Sequence, residues 1–174
     1  MDNKYKDIET KRLILVPISD IYAKSIFEEF NERITTYMYP RPPKEINETK
    51  DFISDSIRRM QEGTNYQLVI LKKESLEFIG CIGMPHLLDE ESEVGIWIKE
   101  KSFGNKYGIE AATGLVNWAK SQKKWKSLKY PVDKRNSPSR RIPEALQGKI
   151  IRSFKNINLS GNELDEVEYS IPLK

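Results

Sequence analysis

The chain has 174 residues, of which 38% are hydrophobic and 32% charged, a balance that predicts a folded domain and excludes a disordered chain. Its formal net charge is only +3, and no apolar run reaches the roughly 20 residues that a membrane-spanning helix needs. Cys81 is the one cysteine and His86 the one histidine, which excludes an internal disulfide and a Cys/His zinc cluster. Residues 1–12 lack the apolar core of a signal peptide, so we expect a cytoplasmic protein with no membrane contact.

The length favours one domain, spanning residues 1–174. In its first third, residues 12–17 are aliphatic and end at a proline, which predicts a strand. Apolar residues at helical spacing follow between residues 22 and 30, and again between residues 47 and 63. The aromatic and proline-rich stretch at residues 37–43 predicts a loop between these two helices.

The middle of the chain predicts an antiparallel meander. Residues 66–71 and residues 77–84 are apolar runs on either side of a short polar turn, as in a hairpin. Residues 93–98 predict a third strand, and the apolar residues from Ile109 to Ala119 fall on one face of a helix. In this region, Cys81 lies inside a buried strand and is best interpreted as a core residue, while His86 lies in a surface loop.

The last third predicts one strand, one short helix and two closing strands. Residues 128–132 alternate between apolar and polar, and further β-rich runs occur near residues 150–154 and 167–171. Residues 139–146 predict a short helix, which Pro143 should kink or confine to its first turn. The elements together predict a single α+β domain with helices near its N-terminus.

A glycine-containing loop is the sharpest local feature of the sequence. It runs from Phe103 to Gly108, directly after a predicted strand and directly before an amphipathic helix. The first amides of a helix lack intrahelical acceptors and carry partial positive charge. Glycines there let the backbone approach a phosphate, so the loop predicts a pyrophosphate site. A tight turn that merely caps a helix would show the same two glycines.

Basic residues concentrate between Lys120 and Lys155, where only Asp133 and Glu144 oppose them. Such a basic half suits a polyanion, which could be a nucleic acid or a small phosphorylated cofactor. The alternative is a solvated face with no ligand. Because no nucleic-acid-binding motif accompanies the basic residues, we expect no nucleic-acid partner.

Four stretches in a fixed order resemble the GCN5-related N-acetyltransferase (GNAT) superfamily, and more narrowly the branch with the ribosomal-protein alanine N-acetyltransferases. The resemblance covers the chain from Thr10 to Ile171. It implies a GNAT-like domain whose central sheet is twisted, mixed and mostly antiparallel, with N-terminal helices and a strand–loop–helix cofactor unit. The stretches that carry it are residues 9–15, Glu93-Val94-Gly95-Ile96-Trp97-Ile98, Glu110-Ala111, and Asn136-Ser137-Pro138-Ser139-Arg140-Arg141.

The resemblance implies acetyl-CoA as co-substrate and no metal. The loop from Phe103 to Gly108 matches the family's Arg/Gln-x-x-Gly-x-Gly/Ala pattern with two departures. Phe103 fills the first position, and Lys106 stands at the central glycine, where a Cβ makes positive φ costly. The residues that the resemblance assigns to cofactor binding are Ile96, Trp97, Ile98, Phe103, Gly104, Asn105, Lys106, Tyr107, Gly108, Asn136, Ser139, Arg140 and Arg141.

The resemblance also implies the chemistry of an acyltransferase acting on a primary amine. Glu93 would be the general base, and a backbone amide near residues 96–98 would bind the oxyanion. Many relatives protonate the thiolate with a tyrosine where this chain has Pro143, so Ser139 or solvent would serve. A CoA-binding module with lost or weak turnover is the alternative.

The resemblance leaves the acceptor open between a small amine and a protein N-terminus. Tyr37, Met38 and Tyr39 are the residues that we expect to line the acceptor pocket. The exposed edges of such sheets often pair, so a homodimer is compatible with the resemblance.

Overall fold

The computed structural model describes residues 5–174, and in that range eight strands form two sheets. The first sheet has the order β1-β2-β3-β4-β5 and the second the order β6-β8-β7. The strands are β1 (Ile8–Glu9), β2 (Leu13–Pro17), β3 (Asn65–Lys72), β4 (Phe78–Pro85), β5 (Gly95–Ile98), β6 (Ser127–Asp133), β7 (Lys149–Ile157) and β8 (Glu163–Pro172). The α-helices are α1 (Ala23–Glu29), α2 (Glu32–Thr35), α3 (Ile46–Gln61), α4 (Tyr107–Gln122) and α5 (Ser137–Ala145).

Helices cover both faces of the first sheet. On one face, the ring of Tyr66 lies 4.4 Å from that of Trp118 on α4. On the other face, the ring of Trp97 lies 5.0 Å from Phe30, which follows α1, and 5.7 Å from Phe78. Because both faces are buried, β3 and β4 are continuous apolar runs and do not alternate.

The two sheets meet at one short contact and then separate. The Val94 amide donates to the Lys129 carbonyl at 2.8 Å, and the Lys129 amide donates to the Ser92 carbonyl at 2.8 Å, which makes Glu93 and Lys129 a parallel bridge. From Gly95 onward β5 pairs with β4 instead. Within residues 5–174 no backbone hydrogen bond joins β5 to β6 beyond this bridge. The facing edges of β5 and β6 are therefore unpaired beyond the bridge, and the gap between them is called the cleft below.

The α+β class, the mostly antiparallel pairing, the N-terminal helices and the strand–loop–helix unit are confirmed. The central sheet is divided into two sheets, which are joined at the Glu93–Lys129 bridge. The strand predicted for residues 93–98 is correspondingly divided, since its first two residues contact β6 and its last four pair with β4.

Pro143 is predicted either to kink the helix after β6 or to confine it to its first turn. The confinement is wrong, because α5 extends through Pro143 to Ala145, and the kink stays a prediction. The Asn136 side chain caps the helix start by accepting from the Ser139 amide. A proline this close to the C-terminal end removes only the hydrogen bond to the Ser139 carbonyl. Ile142 and Pro143 are buried, and this packing offsets that loss.

No helix within the described range, residues 5–174, is long and apolar enough to cross a membrane. The same range holds no group of three or more His, Cys, Asp or Glu side chains placed to bind a metal ion. Cys81 is buried, and burial raises the pKa of its thiol, which confirms a core role for this residue.

Candidate active site

Two residues in the left-handed region shape the loop before α4. Gly104 has φ +79° with open space where a Cβ would lie, and Lys106 has φ +60° and ψ +20°. Lys106 thus adopts the conformation for which the family pattern uses glycine. The first intrahelical hydrogen bond runs from the Glu110 amide to the Lys106 carbonyl at 3.2 Å. The amides of residues 107–109 have no acceptor within residues 5–174.

Glu110 ties the start of α4 to the turn between β1 and β2. Its carboxylate accepts from the Thr10 hydroxyl at 2.6 Å, and from the amide and Nε of Arg12 at 2.7 Å each. The Arg12 Nη2 donates to the Asn105 carbonyl at 2.9 Å, and its guanidinium lies 4.6 Å from the Tyr107 ring centroid. Burial alone would raise the pKa of Glu110, but these hydrogen bonds lower it below its usual value. Contacts from the turn between β1 and β2 therefore fix the position of the loop before α4.

Gly108 marks the place where α4, α5 and β5 converge. A Cβ at this position would lie 3.0 Å from Cδ1 of Ile142 on α5 and 3.7 Å from Cγ1 of Ile98 on β5. β5 and β6 run parallel at their bridge, and α4 and α5 follow them in the chain. Both helix N-termini therefore lie at the end of the cleft where the two strands have separated, which is the usual place for a ligand in such folds.

Among the predicted site residues at the start of α5, some side-chain groups form hydrogen bonds and others have no partner within residues 5–174. Asn136 accepts from the Ser139 amide at 3.3 Å, while its Nδ2 has no partner within residues 5–174. The Arg140 Nε donates to the Tyr169 hydroxyl at 3.1 Å, and its Nη1 donates to the Lys134 carbonyl at 3.3 Å. Arg141 is exposed, with no side-chain partner in the described chain. The structure thus leaves Arg141 more available to an anion than Arg140.

Glu93 lies at the bridge between the sheets. Burial raises the pKa of its carboxyl group; nearby His86 lowers it, and the carboxylates of Glu168 and Glu166 raise it. Side chains alternate along a strand, so Glu93 faces the same side as Gly95 and Trp97, the side that α1 covers. A Cβ added at Gly95 would have no atom within 4 Å, so this side has free space next to Glu93.

The carboxylates of Glu166 and Glu168 on β8 lie near Glu93, an arrangement that the sequence alone does not predict. They are only 9% and 3% exposed, and both interact electrostatically with Glu93. Arg152 on β7 pairs with Glu168 through contacts of 3.0 and 2.9 Å. Burial raises the pKa of Glu166, and a hydrogen bond with Asn156 lowers it. The alternation of β8 is visible in the sequence, but its polar face resembles a solvent-facing one.

The predicted acceptor residues lie in a loop that docks on the second sheet. The Tyr37 ring lies 5.0 Å from the Arg135 guanidinium. The Met38 carbonyl accepts from the Asn158 side chain at 3.3 Å, and the Tyr39 carbonyl accepts from the Leu159 amide at 2.9 Å. The turn between β7 and β8 therefore positions this loop, and its role in acceptor binding stays a prediction.

Acidic residues pair with much of the basic half. The pairs join cations of β7 and of the segment after β6 to carboxylates mainly on β8, with contacts between 2.7 and 2.9 Å. They are Lys134–Asp165, Arg135–Asp133, Arg152–Glu168 and Lys155–Glu163. This pairing favours the solvated face over a continuous polyanion-binding surface.

Fold and site together define an α+β protein built around a split between two sheets, with a strand–loop–helix unit at the open end. The sequence model of the acetyltransferase (GNAT) domain matches residues 12–149, which is most of the chain. The protein therefore belongs to the GNAT family and is an acetyltransferase. No curated protein matches its sequence.

Solved structures share the fold at low sequence identity. One is an acetyltransferase from Salmonella typhimurium that modifies the N-terminal serine of ribosomal protein L7/L12, with a TM-score of 0.85, 13% identity, and 97% and 100% of the two chains covered. A second is RimL, a ribosomal L7/L12 α-N-protein acetyltransferase in complex with coenzyme A. Its TM-score is 0.86 and its sequence identity 13%, with 96% of this chain and 98% of that chain covered. A third is the microcin C7 self-immunity acetyltransferase MccE in complex with acetyl-CoA and AMP. Its TM-score is 0.82 and its sequence identity 18%, with 93% of each chain covered.

Proposed function

We propose that the protein transfers the acetyl group of acetyl-CoA to a primary amine by direct attack, with Glu93 as general base. The observation that carries the proposal is the position of Glu93, a partly buried carboxyl group at the point where β5 leaves β6. The loop before α4 lies beyond the open end of the same cleft. A donor held in the cleft and an amine beside Glu93 would then meet at the split.

The cleft offers donors that suit each part of acetyl-CoA. The amides of residues 107–109, which have no acceptor within residues 5–174, suit the pyrophosphate, and so does the Lys106 ammonium. The open edge of β5 at residues 96–98 suits the amide-rich pantetheine arm, and an amide there would stabilise the oxyanion. Asn136 Nδ2 offers a further hydrogen bond, and Arg141 suits the 3′-phosphate. Coenzyme A in RimL and acetyl-CoA in MccE, two proteins of the same fold, support this assignment.

Glu93 is suited to take the proton of the attacking amine. An amine is mostly an ammonium ion at neutral pH and must lose a proton before its nitrogen can attack the thioester carbonyl. A carboxylate is a stronger base when its pKa lies nearer to neutrality, and burial shifts Glu93 in that direction. Ser139, at the start of α5, would then donate a hydrogen bond to the leaving thiolate.

The acceptor side favours a cationic amine. Glu93, Glu166 and Glu168 share this side, and the Arg152 guanidinium is paired to Glu168. The open space above Gly95 leaves room for the acceptor next to Glu93. Both a small amine and a protein N-terminus meet this requirement. The Salmonella protein of the same fold, which modifies an N-terminal serine, supports the second choice.

The test is to measure thiol release from acetyl-CoA with a panel of N-terminal peptides and small amines. We expect Glu93→Gln to lower kcat/KM by about 100-fold or more, the scale of general-base loss. Glu74→Gln, which changes an exposed carboxylate in the turn between β3 and β4, is the matched control and should retain wild-type activity. An unchanged rate for Glu93→Gln would remove Glu93 from the mechanism.

The pH dependence gives a second readout of the same assignment. The pKa of Glu93 is raised from its ordinary value of 4.5, so kcat/KM of the wild type should rise with pH along a limb above that value. The titration of an α-amine acceptor, at a pKa of about 8, produces a separate limb. Glu93→Gln should keep only the limb of the acceptor. Binding of acetyl-CoA without thiol release for any amine would favour the CoA-binding module instead.

A further inference from the structure

The Tyr130 hydroxyl is a buried polar group that the proposed mechanism does not use. Tyr130 is 2% exposed on β6, and its hydroxyl oxygen lies 2.8 Å from the Ser139 Oγ on α5. Within residues 5–174 the Ser139 side chain is the one hydrogen-bond partner of this hydroxyl. Burial raises the pKa of Tyr130, although the contact with Ser139 opposes this shift. The phenol therefore stays protonated, and its proton needs a hydrogen-bond acceptor.

The surroundings fix the direction of this hydrogen bond. If Ser139 donated to Tyr130, the phenolic proton would be left without an acceptor in a buried site, which costs more than an ordinary hydrogen bond contributes. Tyr130 therefore donates to the Ser139 Oγ. The Ser139 proton must then point away from Tyr130, toward the partly exposed side of the serine.

Ser139 lies beside the cleft, because its partner Tyr130 belongs to the edge strand β6. Ser139 and Ile142 are three residues apart on α5 and so share one face of the helix. On this face, Ile142 reaches Gly108 at the start of α4. We propose that Tyr130 is a positioning residue that aims the Ser139 hydroxyl at the thiolate leaving acetyl-CoA. This inference rests on the proposed acetyl transfer and names the residue that prepares its leaving-group step.

The step balances without any further reactant. The amine nitrogen, after losing one proton to Glu93, forms a bond to the acetyl carbon. The carbon–sulfur bond then breaks with its electron pair on sulfur, and the Ser139 hydroxyl donates a hydrogen bond to that thiolate. The nitrogen releases its second proton to water, and water returns one proton to the free thiolate, so that the proton taken by Glu93 is the one released overall. Tyr130 gives up no proton, but its donation to Oγ makes the serine a stronger donor through cooperative polarisation.

The test compares kcat and KM of Tyr130→Phe, Ser139→Ala and the double variant. The acceptor is the peptide or small amine of the panel above that gives the wild type its highest rate, at a saturating concentration. We expect Tyr130→Phe to lower kcat about tenfold, the effect of one misdirected hydrogen bond in the transition state, with an unchanged KM for acetyl-CoA. The double variant should be no slower than Ser139→Ala alone, because Tyr130 acts through Ser139. Tyr169→Phe removes the hydroxyl of the neighbouring tyrosine on β8, which contacts Arg140 and Glu144 on α5, and it should keep the wild-type kcat.

Melting temperatures test the hydrogen bond between Tyr130 and Ser139 independently of turnover. Ser139→Ala leaves the buried Tyr130 hydroxyl unpaired and should lower the melting temperature, and adding Tyr130→Phe should restore part of it. A wild-type kcat for Tyr130→Phe, or a further loss of kcat in the double variant, overturns the inference alone. If the wild type releases no thiol with any amine, the proposed function fails and the inference fails with it.

Discussion

Lys106 holds a backbone conformation that glycine adopts without cost. Its φ of +60° lies in the left-handed region, where an L-residue loses about 1–2 kcal/mol. The chain carries a lysine there, at the start of α4 and next to the amides that have no acceptor in the described part of the chain. The Lys106 ammonium and the amides would both attract an anion. The strained backbone of Lys106 therefore lies at the proposed pyrophosphate site.

A matched pair of variants separates the strain of Lys106 from its charge. Lys106→Gly removes both the Cβ and the ammonium, whereas Lys106→Ala removes the ammonium and keeps the Cβ. We expect Lys106→Gly to be more stable than Lys106→Ala by about 1 kcal/mol in urea unfolding, since the relief of strain exceeds the entropy that glycine adds to the unfolded chain. Both variants should bind acetyl-CoA more weakly than the wild type, by a similar factor that shrinks at high salt. Equal stability of the two variants would contradict this account of the loop.

The contact between the β1–β2 turn and α4 explains why two stretches far apart in the sequence, residues 9–15 and Glu110-Ala111, both belong to the family pattern. Thr10 and Arg12 meet Glu110 through three hydrogen bonds of 2.6 to 2.7 Å. Arg12 also reaches the Asn105 carbonyl. The Thr-x-Arg stretch near the N-terminus thus supports the loop from behind and need not touch the cofactor.

Arg12→Ala should therefore affect both stability and cofactor binding. Hydrogen bonds to charged groups contribute more than surface ion pairs, so we expect a loss of about 1–3 kcal/mol in the free energy of unfolding and weaker binding of acetyl-CoA. Lys73→Ala is the control on the same part of the sheet, because it breaks an exposed pair with Glu9 at 3.0 Å and should cost at most about 1 kcal/mol. Equal effects of the two substitutions would show that the α4 contact is an ordinary surface pair.

The sequence predicts most elements because their signals are local. The hairpin of β3 and β4, the apolar face of α4 and the alternation of β6 all follow from side-chain periodicity. The extent of α5 does not, since Pro143 is a breaking signal that the Asn136 cap and the burial of Ile142 offset. The four-residue helix α2 and the two-residue strand β1 are too short for any periodic pattern.

The split between the two sheets is the feature of this fold that local sequence patterns do not reveal. Residues 93 and 94 contact β6 whereas residues 95–98 pair with β4, and nothing in their composition marks the change of partner. For the same reason the sequence does not predict Tyr130, Glu166 and Glu168 as site residues, because their importance depends on which elements cover β6 and β8. The order of motifs is enough to find the candidate cofactor residues, whereas their geometry requires the fold.

Calorimetric titration of the purified protein with acetyl-CoA shows whether the chain binds the co-substrate that we propose for this cleft. We expect one molecule bound per chain, with a dissociation constant between about 1 μM and 1 mM, the usual range for enzyme substrates. Arg141→Ala should weaken binding of acetyl-CoA but not of an analogue that lacks the 3′-phosphate. The absence of measurable heat at millimolar acetyl-CoA would contradict the proposed binding of acetyl-CoA and, with it, the proposed function.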